Sequence, residues 1–176
     1  DIANVIAQGV VCGGVRRSAQ IALGAADDKE FIEAKKDYYK SPDKLHRAMS
    51  NNSIFFKERP SLEELMEISE SIKMNGEPGF VNSSAAKHKR PWFAGINPCA
   101  EILLSNKGLC NLTTVNIRNH VIPQWGAINL SLLESSRRRA VRTGSRMTNI
   151  DLYMKDWDDV QKRDRLLGVS LTGWMD

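Results

Sequence analysis

The chain has 176 residues, which is long enough for one ordinary domain. Of these residues 41% are apolar and 26% are charged, and this composition excludes a disordered or low-complexity protein. The 25 basic and 21 acidic residues leave a net charge of +4, which suits a phosphate-bearing ligand but is too diffuse to indicate nucleic-acid binding. No apolar run reaches the roughly 18 residues of a membrane span, and no signal-peptide pattern is present. We therefore expect a protein that is neither membrane-bound nor secreted.

Periodicity, caps and short apolar runs predict helices and strands that alternate along the chain. Helices are predicted over 2–11, 27–36, 61–75, 130–146 and 156–163. Strands are predicted over 18–23, 52–56, 79–82, 113–117 and 166–174. Gly144 is expected to bend or break its helix, and residues 83–90 are expected to form an exposed loop. The alternation favours an α/β fold with largely parallel strands.

The cysteines are sparse, since Cys12, Cys99 and Cys110 form no C-x-x-C pair. An odd number of this kind is not typical of a secreted disulfide scaffold, so a reducing, cytoplasmic compartment is expected. The three histidines are scattered, and we expect no metal site. Because the chain begins without Met and stops directly after an apolar segment, we expect it to be a piece of a longer protein.

The segment GINPCAEILLSNKGLCNLTT, from Gly95 to Thr114, holds most of the reactive side chains. Pro98 disfavours helical backbone at the residue before it, so an extended segment is expected, with Asn97, Cys99 and Glu101 on one face. Side chains two residues apart in a strand originate about 7 Å from each other, close enough to surround one polar group. An amide, a thiol and a carboxylate together indicate a redox or acid–base site.

A second thiol, Cys110, follows Cys99 by eleven positions across the turn-forming stretch 105–108. The chain can therefore fold back and bring both sulfurs to one site, where two thiols supply two electrons by closing a disulfide. The alternative is that these cysteines only fill a hydrophobic core, as free cysteine often does.

Residues 12–18, CGGVRRS, suit a nucleotide ligand. Glycines let the backbone approach a ligand closely, and arginines offer forked, permanently charged donors. The string lacks the spacing of a P-loop or of a Rossmann fingerprint, so a solvated basic loop is an equal alternative.

These motifs resemble the catalytic (large) subunit of ribonucleotide reductase. NPCAEI followed by GLCNLTTVN resembles the active-site finger loop of that family. Five further segments fall in the family's order: GGVRRSAQIALG, MSNNSIFF, NGEPGFVN, RMTN and KRDRLLGVSLTGW. The spacing from Cys99 to Cys110, with Pro98 before the first sulfur, resembles the adenosylcobalamin-dependent (class II) enzymes more than the diiron-dependent ones. The chain is thus identified as an internal fragment of such a subunit.

The resemblance implies part of a ten-stranded α/β barrel of the ribonucleotide reductase and glycyl-radical type, spanning residues 1–176. Residues 95–112 would form the central finger loop, and residues 1–24 the segment of the specificity loop between a deoxynucleotide effector and the substrate base. The candidate specificity residues are Gly13, Gly14, Arg16, Arg17 and Gln20.

The resemblance also implies a role for each side chain of the finger loop. Cys99 would be the thiyl-radical cysteine that abstracts the 3′-hydrogen of the ribose, and Glu101 the base on the 3′-hydroxyl. Asn97 would bond the hydroxyl region of the substrate. Cys110 would be one of two reducing thiols, its partner lying upstream of this chain, whereas Cys12 would be a small buried hydrophobe.

The implied reaction is radical-based reduction of ribonucleotides, triphosphates first, to 2′-deoxyribonucleotides for DNA synthesis. Adenosylcobalamin would be the cofactor, a deoxynucleotide the allosteric effector and a thioredoxin-like protein the external reductant. The fragment by itself is expected to be inactive. Three alternatives stay open: the large subunit of a diphosphate reductase with a separate radical-generating subunit, a non-catalytic nucleotide-binding module, and a structural thiol or metal protein.

Overall fold

The computed structural model describes residues 1–11, 19–73 and 75–175, which divide between two compact units, Asp1–Asn106 and Lys107–Asp176. Both units mix helices with parallel and antiparallel strands, which confirms the predicted α/β class. The described residues form no closed barrel, and their largest sheet has three strands. Several residues singled out by the sequence lie outside the described residues: Cys12, Gly13, Gly14, Arg16 and Arg17.

The helices and strands have the following bounds. The α-helices are α1 (Ile2–Val11), α2 (Lys29–Glu33), α3 (Leu62–Ile72), α4 (Ser83–Lys89), α5 (Leu130–Met147) and α6 (Lys155–Asp164). The strands are β1 (Ile21–Ala25), β2 (Asn51–Phe56), β3 (Gly79–Asn82), β4 (Phe93–Ile96), β5 (Leu103–Ser105), β6 (Cys110–Asn116), β7 (Val121–Ile122), β8 (Ala127–Ile128) and β9 (Leu166–Thr172). Short 3-10 helices span Tyr38–Lys40, Pro42–Ala48 and Ile117–His120. Among the described residues, no helix is long and apolar enough to cross a membrane.

The predicted elements all occur, with ends that shift by a few residues. The strongest local pattern, the capping box that opens α3, is formed as expected: the Glu64 N–H donates to Ser61 Oγ at 3.1 Å, and the Ser61 N–H donates to the Glu64 carboxylate at 2.7 Å. Two of the four unpaired donors at this helix start are thereby satisfied.

The exposed loop predicted over 83–90 is wrong, because these residues form the helix α4. The side-chain oxygen of Asn82 accepts a hydrogen bond from the Ala85 N–H at 2.9 Å and so caps the helix. Three basic residues in its last turn complement the negative end of the helix dipole. The polar composition therefore marks a short surface helix and not a loop.

Of the bend or break predicted at Gly144, the break is wrong, since α5 runs without interruption past that residue. Gly144 is buried, and a Cβ added there would overlap the side chain of Leu167 in β9. The glycine therefore permits close packing of a helix on a strand and does not interrupt the helix.

The first unit is built on a parallel sheet with the strand order β1-β2-β3. Alternate side chains of β2 point to opposite faces, as the pleat requires. Ile54 and Phe56 pack with Ile68 of α3 on one face. Phe55 packs on the other face with Phe93 of β4, their ring centroids 5.7 Å apart. The sheet thus separates two apolar clusters and carries the antiparallel hairpin β4–β5 on one of its faces.

The second unit pairs β6 with β9 in parallel, with Cys110 opposite Leu166 at one end. Helix α5 contacts both strands. His120 is buried, and its ring nitrogens lie 2.8 Å from the Asn116 carbonyl oxygen and 2.8 Å from the Ser136 hydroxyl. This imidazole connects the end of β6 to α5 inside the unit.

Candidate active site

The hairpin tip between β4 and β5 carries three of the four predicted catalytic residues. Asn97 and Ile102 close the loop twice: the Asn97 N–H donates to the Ile102 carbonyl at 3.4 Å, and the Ile102 N–H donates to Asn97 Oδ1 at 2.9 Å. The Ala100 N–H donates to the Asn97 carbonyl at 2.9 Å. Residues 97–100 therefore form a β-turn with Pro98 at its second position, which proline favours, and Cys99 at its third.

The extended geometry predicted for this segment is wrong. The chain reverses at Pro98 and Cys99, and Ala100 adopts a left-handed backbone with φ of 68°. Because the residues are not in a strand, the alternation of a pleat does not set the directions of their side chains. Asn97 contributes its amide oxygen to the loop itself, whereas Cys99 and Glu101 are both exposed at the tip.

Cys99 is a free thiol on this narrow hairpin. It lies in neither a helix nor a strand, and its side chain is open to an approaching molecule. The carboxylate of Glu101 stands two residues away in the same loop. A thiol and a carboxylate on one short exposed loop, with the amide of Asn97 at its base, can act on a small polar substrate by hydrogen or proton transfer.

Asn51 anchors the tip of the hairpin, and sequence reasoning missed it. The Asn51 Nδ2 group donates at 2.7 Å to the Pro98 carbonyl oxygen, which belongs to the peptide group that joins Pro98 to Cys99. The Asn51 backbone N–H donates to the carbonyl of Gln20, a candidate specificity residue, at 2.8 Å. No local pattern could have shown this contact, because Asn51 and Pro98 are 47 positions apart.

A partly buried ion pair supports the start of β2 on both sides of Asn51. The Lys35 side chain is 5% exposed, and its ammonium lies 2.5 Å from the Glu77 carboxylate. It also donates to the Ser50 carbonyl. The same Glu77 carboxylate accepts the Asn52 N–H at 3.0 Å. A buried charge needs such pairing, and here the pair holds the two neighbours of Asn51 in place.

Cys110, the fourth predicted residue, is the first residue of β6 in the second unit and is half-buried. The Nδ2 atom of its neighbour Asn111 is buried with no hydrogen-bond partner among the described residues.

Among the described residues, no group of three or more His, Cys, Asp or Glu side chains is arranged to bind a metal ion.

Comparison with known proteins identifies the family. Residues 7–176 match the family described as "Ribonucleotide reductase, barrel domain". Three relatives named "Adenosylcobalamin-dependent ribonucleoside-triphosphate reductase" are similar over the whole chain. They come from Lacticaseibacillus paracasei (35% identical over 190 residues), Lactobacillus acidophilus (34% over 192) and Lactobacillus leichmannii (34% over 190).

The chain spans about a quarter of the length of these relatives, 24% in each case. No solved structure gives a significant match. The match to the barrel domain nevertheless covers nearly every residue, including the whole hairpin that carries Cys99. The chain therefore belongs to the ribonucleotide reductase family, and residues 7–176 belong to its barrel domain.

Proposed function

We propose that this chain carries the radical cysteine of an adenosylcobalamin-dependent enzyme that reduces ribonucleoside triphosphates to 2′-deoxyribonucleotides. The observation that supports this most is the exposed free thiol of Cys99 at the tip of a tight hairpin, with Glu101 beside it and Asn97 at the loop base. Relatives that cover the whole chain bear the name of this activity. The proposal concerns the full-length protein in which these residues occur, and the 176 residues alone are expected to be inactive.

The exposed thiol fits the proposed cofactor. When bound, adenosylcobalamin supplies a carbon radical that can remove a hydrogen atom from a thiol. Cys99 is free of any disulfide and open to such a reactant at the loop tip. A buried cysteine that only filled a core could not be reached in this way.

In the proposed reaction, the sulfur radical of Cys99 takes the hydrogen atom from C3′ of the ribose and becomes a thiol again. The Glu101 carboxylate accepts the proton of the 3′-hydroxyl, and the Asn97 Nδ2 group donates a hydrogen bond to the substrate hydroxyls. Cys110 gives a proton to the 2′-hydroxyl, which leaves as water. The second thiol gives a hydrogen atom to C2′, and its disulfide with Cys110 forms as one further electron, together with the proton held by Glu101, returns to the oxidised C3′–oxygen group. The Cys99 thiol then returns its hydrogen atom to C3′, which restores the sulfur radical.

The remaining assignments extend this proposal. We assign residues 95–112 to a finger loop inside a ten-stranded barrel and residues 1–24 to a segment that relays a deoxynucleotide effector. A thioredoxin-like protein would reduce the disulfide after each cycle. Because the thiols must return to their reduced form, the cytoplasm is the proposed compartment.

The test uses the full-length protein with a ribonucleoside triphosphate, a dithiol reductant and adenosylcobalamin as the only radical source. We expect deoxynucleotide formation in the wild type, and none above background in Cys99→Ser. Ala85→Ser is the control, since Ala85 is exposed in α4 and lies outside both segments of the proposed machinery, and it should retain activity. Full activity of Cys99→Ser would contradict the proposal. Activity that requires a separate metal-containing subunit, with diphosphate substrates, would favour the alternative enzyme class.

A further inference from the structure

A hydrogen bond from Asn51 connects the Cys99-bearing loop to the parallel sheet. Among the described residues, loop 97–102 makes three backbone or side-chain hydrogen bonds within itself and one to the sheet, from Asn51 Nδ2 to the Pro98 carbonyl at 2.7 Å. Resting on the function proposed above, we propose that Asn51 is a positioning residue that sets the location of the Cys99 sulfur against the substrate.

Hydrogen bonds to several parts of the first unit fix the backbone around Asn51. Its own N–H donates to the Gln20 carbonyl at 2.8 Å, just before β1. Ser50, which is fully buried, donates to Asn4 Oδ1 from its N–H at 3.1 Å and from its hydroxyl at 3.0 Å. On the other side, the Asn52 N–H donates to the Glu77 carboxylate at 3.0 Å. A side chain on so constrained a backbone can fix the position of the group it bonds.

The other contacts of the hairpin cannot fix its tip as well. The strands β4 and β5 pack on the sheet through apolar side chains such as Phe93, Ile96 and Leu103. Apolar contacts are not directional, so they constrain the position of one loop residue less than a hydrogen bond to that residue does. The hydrogen bond from Asn51 is directional and ends one residue before Cys99.

Hydrogen-atom transfer makes this position important. Reacting atoms must approach to about 3–3.5 Å, and a displacement of about 1 Å can cost about a hundredfold in rate. Since Asn51 does not itself meet the substrate in this proposal, its loss should lower the rate of reduction more than it changes substrate affinity.

The experiment compares three variants of the full-length protein. Asn51→Asp keeps the shape but replaces the donor with a carboxylate that repels the Pro98 carbonyl. Asn51→Gln keeps the amide donor on a longer side chain. Asn82→Asp is the matched control: it adds the same charge to the same sheet at an exposed helix cap, where Asp serves as well as Asn.

We measure kcat and KM for reduction and, without cofactor, the hydrogen exchange of the peptide 93–105. Asn51→Asp should lower kcat by about 10- to 100-fold with KM changed less than about twofold, and should speed exchange in 93–105 several-fold. Exchange in α3, residues 62–72, should stay the same. Asn51→Gln should recover part of both losses, and Asn82→Asp should match the wild type.

Two results would overturn this inference: wild-type kcat and exchange in Asn51→Asp, or exchange that rises equally in α3, which would show a general loss of stability. If Asn51→Asp does not fold, Asn51→Ala, which removes the donor without adding a charge, is judged by the same two measurements and the same two contrary results. If the wild-type protein performs no ribonucleotide reduction, the proposed function fails, while the exchange of 93–105 still shows whether Asn51 holds the loop.

Discussion

The amide oxygen of Asn97 accepts the backbone N–H of Ile102 at 2.9 Å, so the side chain that we propose as a substrate ligand also closes the loop that carries Cys99. The two functions use opposite ends of one amide. The oxygen serves the loop, and the Nδ2 group is the proposed donor to the substrate.

The two roles of Asn97 can be separated by two substitutions. Asn97→Asp keeps an oxygen acceptor for the Ile102 N–H but loses the Nδ2 donor, so the loop should stay closed while kcat/KM for reduction falls about tenfold or more. Asn97→Ala loses both. Hydrogen exchange at Ile102 should therefore be slow in the wild type and Asn97→Asp, and fast in Asn97→Ala. Wild-type activity in Asn97→Asp would remove Asn97 from the substrate site.

Breaking the partly buried pair of Lys35 and Glu77 should destabilise the first unit. Lys35→Met leaves the Glu77 carboxylate without its cation and the Ser50 carbonyl without its donor, at a cost of about 3 kcal/mol. The double variant Lys35→Met/Glu77→Gln should lose less than the sum of the two single variants. The measurement is the urea concentration at which the peptide of β2 loses protection from hydrogen exchange. Additive losses would show that the two groups do not interact.

Gly24 of β1 should not tolerate a side chain. A Cβ there would overlap several ring atoms of Phe31, which packs over the strand from α2. Gly24→Ala should therefore destabilise the first unit by about 1–3 kcal/mol through overpacking. Gly9→Ala in α1 is the control, and it should stabilise by about 0.5–1 kcal/mol. Apart from the chain neighbours of Gly9 and the backbone of its own helix, no atom of the described residues lies within 4 Å of the added Cβ. For each variant we would measure the urea concentration at which the peptide that contains the substitution, β1 or α1, loses half of its protection from hydrogen exchange. Equal shifts of this midpoint in the two variants would contradict the packing argument.

The contacts of α6 should weaken in acid. Hydrogen bonds from the Lys162 side chain and then from the Leu152 N–H lower the pKa of Asp158 below its ordinary value of 3.8. A lowered carboxyl pKa gives stability that is present above the unfolded pKa and is lost as the pH falls through the folded one. The pKa of Lys162 is raised to about 12, mainly by hydrogen bonds to Asp151 and Asp158, so its stabilising charge is fully present below pH 10.5 and lost only as the pH rises through 12.

We therefore expect the exchange protection of residues 155–164, corrected for intrinsic rates, to be flat near neutral pH and to fall below about pH 4. In Asp158→Asn the protection should be lower at pH 7 and should show a smaller decline in acid. About 1 M salt should reduce the difference, since Lys162, the cation that Asp158 binds, is exposed and its charge is screened. An unchanged acid decline in Asp158→Asn would assign it to other carboxyl groups.

Patterns within short stretches of the sequence predicted most of the helices and strands of this protein. The capping box of Ser61 and Glu64, the periodicity of the longer helices and the apolar runs of the strands predicted elements that the structure contains, because caps and periodicity act between residues a few positions apart. The order of the motifs indicated the family, which the match over residues 7–176 confirms. The roles of Asn97, Cys99, Glu101 and Cys110 stay predictions that the proposed experiments test.

Only the tertiary structure decided how the candidate site is built. The turn at Pro98, the left-handed backbone of Ala100 and the helix α4 replace an extended segment and a loop. The bond from Asn51 to Pro98 joins positions 47 apart, and the pair of Lys35 and Glu77 joins positions 42 apart. Such contacts depend on strand register and on the packing of the hairpin against the sheet, and these are properties of the folded chain that no short pattern encodes.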